Sequence, residues 1–194
     1  DRVIQTIEPV RTINQPDGMR VYAIGINFSG WVRLTVKAPR GTELTLTFAE
    51  EVDAEDRPDY RSAHAAQIQK DVYITRGGQA EETYDPRFVW HGFRYAAIQT
   101  TGTTAGPGTG IGAGTGVGVR AGNRKQNVQI LAVTGCFVCH DIRRTAEVAC
   151  SEPLFPQIND IAVRAQLSNM HGGVPGEGSR SEEHTSELQS RYVI

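Results

Sequence analysis

The sequence predicts a mainly β, antiparallel fold, and three observations carry this prediction. Apolar and polar residues alternate with a period of two across residues 20–99, turn-forming residues separate the alternating runs, and a helical period appears only later. Period-two alternation is typical of strands with one buried face. Several short strands joined by turns indicate a sandwich or a barrel.

The clearest strands flank the turn sequence Ala38-Pro39-Arg40-Gly41. The alternating apolar positions are Val32, Leu34 and Val36 before this turn, Leu44, Leu46 and Phe48 after it, then Val72 and Ile74, and finally Phe93, Tyr95 and Ala97. We expect these side chains to face the core.

Residues 100–127 are rich in glycine. Nine of the 21 glycines lie between Gly102 and Gly122, among Thr, Ala and Val. Such a stretch has too few large side chains to offset the entropy of ordering, so it predicts a long loop or a flexible linker. Strand-like alternation resumes at Val128, Ile130 and Ala132.

A helix is predicted after residue 150. Apolar residues recur there at spacings of four, three and four, which places them on one helix face; they are Leu154, Ile158, Ile161 and Ala165. Ser151 is a candidate N-cap. Pro156 would disrupt a helix that begins at Glu152, so we expect either a kink or a start nearer Phe155.

Composition excludes several classes of partner. The chain has 20 Lys and Arg against 22 Asp and Glu, for a net charge of -2, so no dense basic face for nucleic acid or an anionic membrane is expected. No apolar run approaches the roughly 18 residues of a transmembrane helix. The first residues lack the pattern of a signal peptide, which leaves the localisation open between cytoplasm and secretion. Three cysteines do not make a disulfide framework.

The pattern of the last fifteen residues predicts a different origin from that of the rest of the chain. Residues 180–190, RSEEHTSELQS, look like the translation of a common sequencing adapter, and the alternative is a genuine polar C-terminal tail. We therefore expect 180–194 to be a non-native tail and exclude it from the fold.

Three blocks resemble the bacterial α-L-rhamnosidases of glycoside hydrolase family 78. They are NFSGWVRL at 27–34, GTELTLTFAE at 41–50 and WHGFRY at 90–95. Two further blocks, CSEPL at 150–154 and SNMH at 168–171 followed by Val174-Pro175, look like that family's entry into its catalytic barrel. Ala23 and Ile26 depart from the pattern, since the family usually has Asp and Gln there.

The resemblance implies a domain organisation. After a lead-in at 1–19, it implies a concanavalin-like, jelly-roll β-sandwich at 20–140 and the truncated start of an (α/α)6 catalytic domain at 141–179, with one helix. The family continues after Val-Pro with acidic residues that serve catalysis, whereas this chain continues with Gly176-Glu177-Gly178-Ser179. We therefore expect an accessory sandwich without the catalytic carboxylates.

The resemblance also implies a function and partners. The parent enzyme would hydrolyse terminal α-L-rhamnosides with inversion, taking a rhamnose-containing glycoside as substrate, and the catalytic domain would be the intramolecular partner of the sandwich. The alternative is a non-catalytic carbohydrate-binding β-sandwich. A saturable rhamnose titration would distinguish the two.

Four residues are candidates for substrate contacts. Trp31, Trp90 and Tyr95 could stack on a sugar ring or belong to the core, and His91 could bond to the catalytic domain or be a structural histidine.

No cofactor is expected, except that Asp53, Asp56 and Asp59 could hold calcium because a hard cation prefers clustered carboxylate oxygens. Otherwise these acids form a solvated rim. The pattern C-x-x-C-H at 136–140 matches a haem attachment motif, but it lies in strand-like sequence, and we interpret it as coincidence.

Overall fold

The structure, a computed structural model, describes residues 1–62, 67–78, 80–103, 128–142, 145–171 and 174–175. In chain order, the elements within these residues are β1 (Arg2–Ile7), β2 (Arg11–Asn14), β3 (Arg20–Lys37), β4 (Thr42–Ala49), β5 (Glu51–Val52), β6 (Pro58–Asp59), β7 (Gln69–Ile74), β8 (Glu82–Tyr84), β9 (His91–Thr103), β10 (Gln129–Cys139), α1 (Leu154–Ser168), β11 (Met170–His171) and β12 (Val174–Pro175).

Strand β3 joins the two layers of a sandwich. Its first part pairs with β2 and β9, and its last part pairs with β10 and β8, always antiparallel. One layer therefore has the order β2-β3-β9-β4-β7, and the other has the order β8-β3-β10-β1. The register shifts between Ala23 and Phe28, and Gly25 between them has a φ of +90°. Strand β3 pairs with β9 on both sides of this bulge, and pairing with β9 ends at Gly30, where pairing with β10 begins, so β3 passes from one layer to the other at Gly30. The predicted antiparallel β-sandwich is confirmed.

The core lies between the layers and is built on phenylalanine contacts. The ring of Phe28 lies 4.7 Å from that of Phe93 and 5.6 Å from that of Phe137, between centroids, and Phe48 lies 4.9 Å from Phe93. Each fully buried Phe or Leu contributes about 1.5–3 kcal/mol. The six apolar positions predicted on either side of the turn at 38–41 are at most 1% exposed; they are Val32, Leu34, Val36, Leu44, Leu46 and Phe48. The turn does not form the predicted hairpin, because β3 pairs with β2, β8, β9 and β10 whereas β4 pairs with β7 and β9.

Strand β7 alternates as predicted but with the opposite face inward. Val72 and Ile74 are 47% and 51% exposed, so the expectation that they face the core is wrong. Asp71 and Tyr73 take the inward positions. Asp71 is tolerated there because its carboxylate has a partner, His91, at 2.9 Å.

Helix α1 begins at Leu154, between the two predicted starts. Pro156 is then the third helical residue, where a backbone N–H would have no partner within the helix, so its missing donor costs little. The predicted N-cap at Ser151 is wrong. Pro153 occupies the N-cap position, with no side-chain capping bond.

Two predicted segments lie outside the described residues. These are the non-native tail at 180–194 and the glycine-rich stretch from position 104 to 127, whereas residues 100–103 belong to β9. The domain boundaries stay predictions. Within the part of the chain that the structure describes, no helix is long and apolar enough to cross a membrane.

Substituting Gly30 should test the close approach of β3 to β10. A Cβ at Gly30 would lie 1.9 Å from the backbone oxygen of Cys136, so Gly30→Ala must displace main chain and should cost about 1–3 kcal/mol or more. Gly92 is the matched control, because the nearest atom to a Cβ there is a side-chain oxygen of Glu50 at 3.8 Å. Urea denaturation should show Gly92→Ala close to wild type. Equal stability of the two variants would contradict the packing of β3 on β10.

Candidate functional site

A groove of about 580 Å³ lies between α1 and the sandwich, and we call it the helix–sandwich groove. The sandwich contributes polar side chains, and the helix contributes a mixed wall. The residues that matter below are Asn27, Glu50, Gln69, Trp90, Ile161 and Arg164.

His171 attaches the end of the helical segment to the sandwich. Its Nε2 lies 2.8 Å from the hydroxyl of Ser29 on β3 and 3.1 Å from the carbonyl oxygen of Ser168. A carbonyl can only accept, so Nε2 carries the proton and donates. The backbone N–H of Ser29 in turn donates to the Ser168 hydroxyl at 3.3 Å. These bonds fix the last turn of α1 against β3.

This arrangement resembles a nucleophilic serine site but lacks its hydrogen-bond pattern, since Nδ1 of His171 has no hydrogen-bond partner among the described residues. The Asp1 carboxylate lies 3.7 Å from Nδ1 of His171, and Ser29 lies at Nε2, which is the order of a Ser-His-Asp triad. A general base must present an unprotonated nitrogen to the serine hydroxyl, and the Nε2 of His171 is protonated toward the Ser168 carbonyl. Ser29 is therefore a structural hydrogen-bonding partner.

Burial keeps His171 neutral. Its side chain is 7% exposed, and loss of solvation lowers the pKa of the imidazole below the usual 6.5, while the bond to the Ser168 carbonyl opposes this shift. The Nδ1 atom is buried without a hydrogen-bond partner among the described residues. Protonation of His171 would thus place a charge in a desolvated site.

Trp90 connects this attachment to the groove. Its ring stacks on His171, with 4.4 Å between centroids and 13° between planes. Trp90 is nevertheless 47% exposed and lines the groove. One face of the indole is therefore covered by the imidazole, and the other is open to the groove.

The sandwich wall of the groove is held in place by side-chain bonds. The Asn27 amide donates to Oε1 of Glu50 at 3.0 Å. Gln69 bonds reciprocally to the backbone of Gly92, donating to its carbonyl at 3.2 Å and accepting from its N–H at 3.1 Å. Opposite them, Arg164 of α1 has no ion-pair partner in the described ranges.

The structure brings only Trp90 of the four predicted sugar-contacting residues to the groove. His91 is buried, bonds to Asp71 at 2.9 Å, and stacks on Phe48 with 4.2 Å between ring centroids. Trp31 donates from Nε1 to Asp85 at 2.7 Å. Tyr95 lies under the Arg94 guanidinium, 5.5 Å from the ring centroid. The substrate-contact predictions for these residues stay predictions.

The three aspartates predicted to hold calcium have separate partners. Asp53 accepts from the N–H groups of Glu55 and Arg57, and Asp56 accepts from Arg11 at 2.7 Å. Bonds from Arg61 lower the pKa of Asp59 to about 2.

Among the described residues, no group of three or more His, Cys, Asp or Glu side chains is placed to hold a metal ion. The calcium site stays a prediction. Cys136 and Cys139 of the C-x-x-C-H pattern are buried free thiols, and burial raises the pKa of each.

Sequence reasoning missed most of the groove. Ser29, Glu50 and His171 lie inside the quoted family blocks. Their contact partners can be distant in the sequence, however, as Ser29 and Ser168 are 139 positions apart. Arg164 lies three residues after Ile161, and residues at this spacing are neighbours on a helix surface. This spacing was the available signal that Arg164 flanks the apolar face.

The fold and the groove define a β-sandwich module with a helix docked on one end. Residues 13–109 match the family model of the bacterial α-L-rhamnosidase concanavalin-like domain, which is half of the chain. The chain therefore belongs to this family.

Two sequence relatives are α-L-rhamnosidases. The protein from Formosa agariphila is 26% identical over 175 residues, covering 87% of this chain and 16% of the relative. The protein from Streptomyces avermitilis is 39% identical over 100 residues, covering 51% of this chain and 9% of the relative. The chain thus spans a small part of the length of these relatives.

Solved structures of α-L-rhamnosidases show the same similarity as the sequence relatives. An α-L-rhamnosidase from Dictyoglumus thermophilum superposes with a TM-score of 0.68 at 28% identity, over 90% of this chain and 17% of that chain. The S. avermitilis α-L-rhamnosidase complexed with L-rhamnose gives 0.65 at 26% identity, over 90% and 14%. The concanavalin-like type of the sandwich is thereby confirmed.

Acid should weaken the folded state through His171. Because burial lowers its pKa below 6.5 in the folded chain, the unfolded chain binds more protons, and the free energy of unfolding should fall as the pH drops through about 6.5. His171→Gln cannot take up this proton. The stability difference between wild type and variant should therefore be constant above about pH 7 and shrink in acid.

Urea denaturation across this pH range measures the effect. Ser29→Ala is the control, because it removes the hydroxyl partner and keeps the imidazole. It should lower stability by about 1 kcal/mol at each pH and retain the acid-dependent loss. The interpretation fails if His171→Gln shows the same acid-dependent loss as wild type.

Proposed function

We propose that this chain is the accessory β-sandwich of an α-L-rhamnosidase, and that it carries and orients a helical catalytic domain. The whole protein would hydrolyse terminal α-L-rhamnosides with inversion. One observation carries the proposal: α1 is attached to the sandwich along one side, while its opposite side is apolar and exposed.

The attached side of α1 has both apolar and polar contacts. Leu167 packs against the sandwich core. Ser168 and His171 bond to Ser29, and the backbone N–H of His140 donates to the Met170 carbonyl at 2.8 Å. These contacts lie at the last turn of α1 and just after it, so they anchor the C-terminal end of the helix to the sandwich.

The opposite side of α1 is unusually apolar for an exposed surface. Three large side chains that do not line the helix–sandwich groove are each more than half exposed; they are Leu154, Phe155 and Ile158. Contiguous exposed apolar residues of this kind mark a surface that packs against a partner. A helical domain is the partner proposed, in agreement with the large share of the rhamnosidase relatives that lies outside the matched region.

The described carboxylates argue against hydrolysis by this chain alone. Inverting hydrolysis needs two carboxyl groups roughly 6.5–9.5 Å apart, one of them a protonated general acid. Asp59, with a pKa of about 2, is ionised at neutral pH and cannot donate a proton. Glu50 accepts a hydrogen bond from Asn27 and is the one carboxylate among the described residues that line the helix–sandwich groove, so the groove lacks the second carboxyl group.

The chain should therefore not turn over an aryl α-L-rhamnoside. Release of the aryl alcohol, followed by absorbance over several hours, is expected to equal the rate without protein. A full-length α-L-rhamnosidase is the positive control. A robust rate that increases with the concentration of the chain would overturn the accessory role.

Substitutions on the two sides of α1 should have different effects. Ile158 is 52% exposed, so Ile158→Glu should change stability by no more than about 0.5 kcal/mol and should reduce self-association through the apolar face. Leu167→Glu is the matched variant on the packed side and should destabilise by about 1–3 kcal/mol, since Leu167 is partly buried and the variant places a charge against the apolar core. Denaturation and sedimentation measure the two effects. Equal destabilisation by both variants would contradict an open apolar face.

A further inference from the structure

We infer that the helix–sandwich groove binds a neutral saccharide of one or two rings, stacked on the open face of Trp90. This site would be separate from the proposed hydrolytic reaction. It would give the sandwich a carbohydrate-binding role of its own, in addition to carrying a helical domain.

The shape of the groove suits a sugar. Its volume of about 580 Å³ falls within the range of roughly 300–1,000 Å³ that is usual for small-molecule sites. Trp90 offers a flat apolar surface that is already held by the His171 ring on its other side. A platform fixed before binding loses little conformational entropy when a ring stacks on it.

One wall of the groove is polar and the other is apolar, just as a deoxy sugar has hydroxyl groups on one part of its ring and apolar groups on another. The sandwich wall presents Asn27, Glu50 and Gln69, which can accept and donate hydrogen bonds to hydroxyl groups. The helix wall presents Ile161 and Ala165, which suit a methyl group or the apolar edge of a ring. A pyranose has hydroxyls along one edge and C–H groups on its face, so both walls would be satisfied.

Hydrogen-bonding capacity remains available on the polar wall. Among the described residues, Asn27 is bonded to Oε1 of Glu50, and Oε2 has no hydrogen-bond partner. Gln69 is held rigid by Gly92, so its position does not depend on a ligand. Vicinal sugar hydroxyls could donate to the free carboxylate oxygen.

The charges of the groove favour a neutral ligand. Glu50 contributes one negative charge and Arg164 contributes one positive charge, and no ion pair between them occurs in the structure. A phosphate or a carboxylate ligand would meet the repulsion of Glu50, and a cation would meet that of Arg164. A polyhydroxylated neutral molecule can bond to both.

Trp fluorescence and calorimetry with L-rhamnose test the site. The choice of L-rhamnose rests on the proposed function, so methyl β-D-galactopyranoside is titrated in parallel as a second neutral pyranose. Trp31 lies outside the groove and is bonded to Asp85, so Trp31→Phe leaves Trp90 as the only tryptophan and as the reporter. We expect the Trp31→Phe variant to bind at least one of the two sugars saturably. Its Kd should be below about 50 mM and within about twofold of the wild-type Kd.

Two variants then decide whether the groove is the site. Trp90→Leu removes the platform and should weaken binding by about tenfold or more in calorimetry. Glu50→Gln keeps the size of the side chain, removes the charged acceptor, and should weaken binding by about tenfold. Glu50 is exposed, so this variant remains informative if Trp90→Leu is unstable.

The outcomes separate this site from the proposed function. Absence of saturable binding for both sugars, or binding that neither Trp90→Leu nor Glu50→Gln weakens, would overturn the saccharide site and leave the accessory role intact. Binding of the galactoside alone, with the same dependence on Trp90 and Glu50, would support the saccharide site and count against rhamnose as the ligand. Turnover of the aryl rhamnoside would overturn the accessory role without bearing on the groove.

Discussion

The pairing of β3 with strands of both layers is the constraint on which the rest of the molecule depends. Its 18 residues bond to β2, β8, β9 and β10, so the two layers share one continuous backbone. Loss of register along β3 would move every inward side chain to the other face, because the side-chain period of a strand is two. The strand leaves one layer and enters the other at Gly30, where pairing with β9 ends, pairing with β10 begins, and the backbone of β10 approaches closely.

The helix depends on the same strand. Ser29 is a neighbour of Gly30 on β3, and its hydroxyl and N–H bond to His171 and Ser168. The position of α1 is therefore tied to the place where β3 changes layers. His171 in turn supports Trp90, so the attachment of the helix and the open face of the indole form one unit. A change in the packing of the helix would alter the groove as well.

Much of the sandwich could be predicted from local pattern, and most of the groove could not. Val32, Leu34 and Val36 lie in the core because that face of β3 packs in one cluster with apolar residues of β4 from the other layer. Val72 and Ile74 have the same alternation but lie outward, and Asp71 on the other face of β7 has a hydrogen-bond partner inside. Alternation along a strand predicts that its two faces differ in polarity. Which face is buried depends on what packs against each of them.

The sequence by itself determined the class of fold, the apolar positions of the central strands, the helix face and the family, because these depend on local periodicity and on contiguous motifs. Only the tertiary structure decided which of the predicted aromatic residues reaches the groove. Trp90 lies there because His171, 81 positions further along the chain, folds back beneath its ring. Such a contact joins residues that have no periodic relation, so it follows from the packing of α1 on β3 and from nothing in the local pattern.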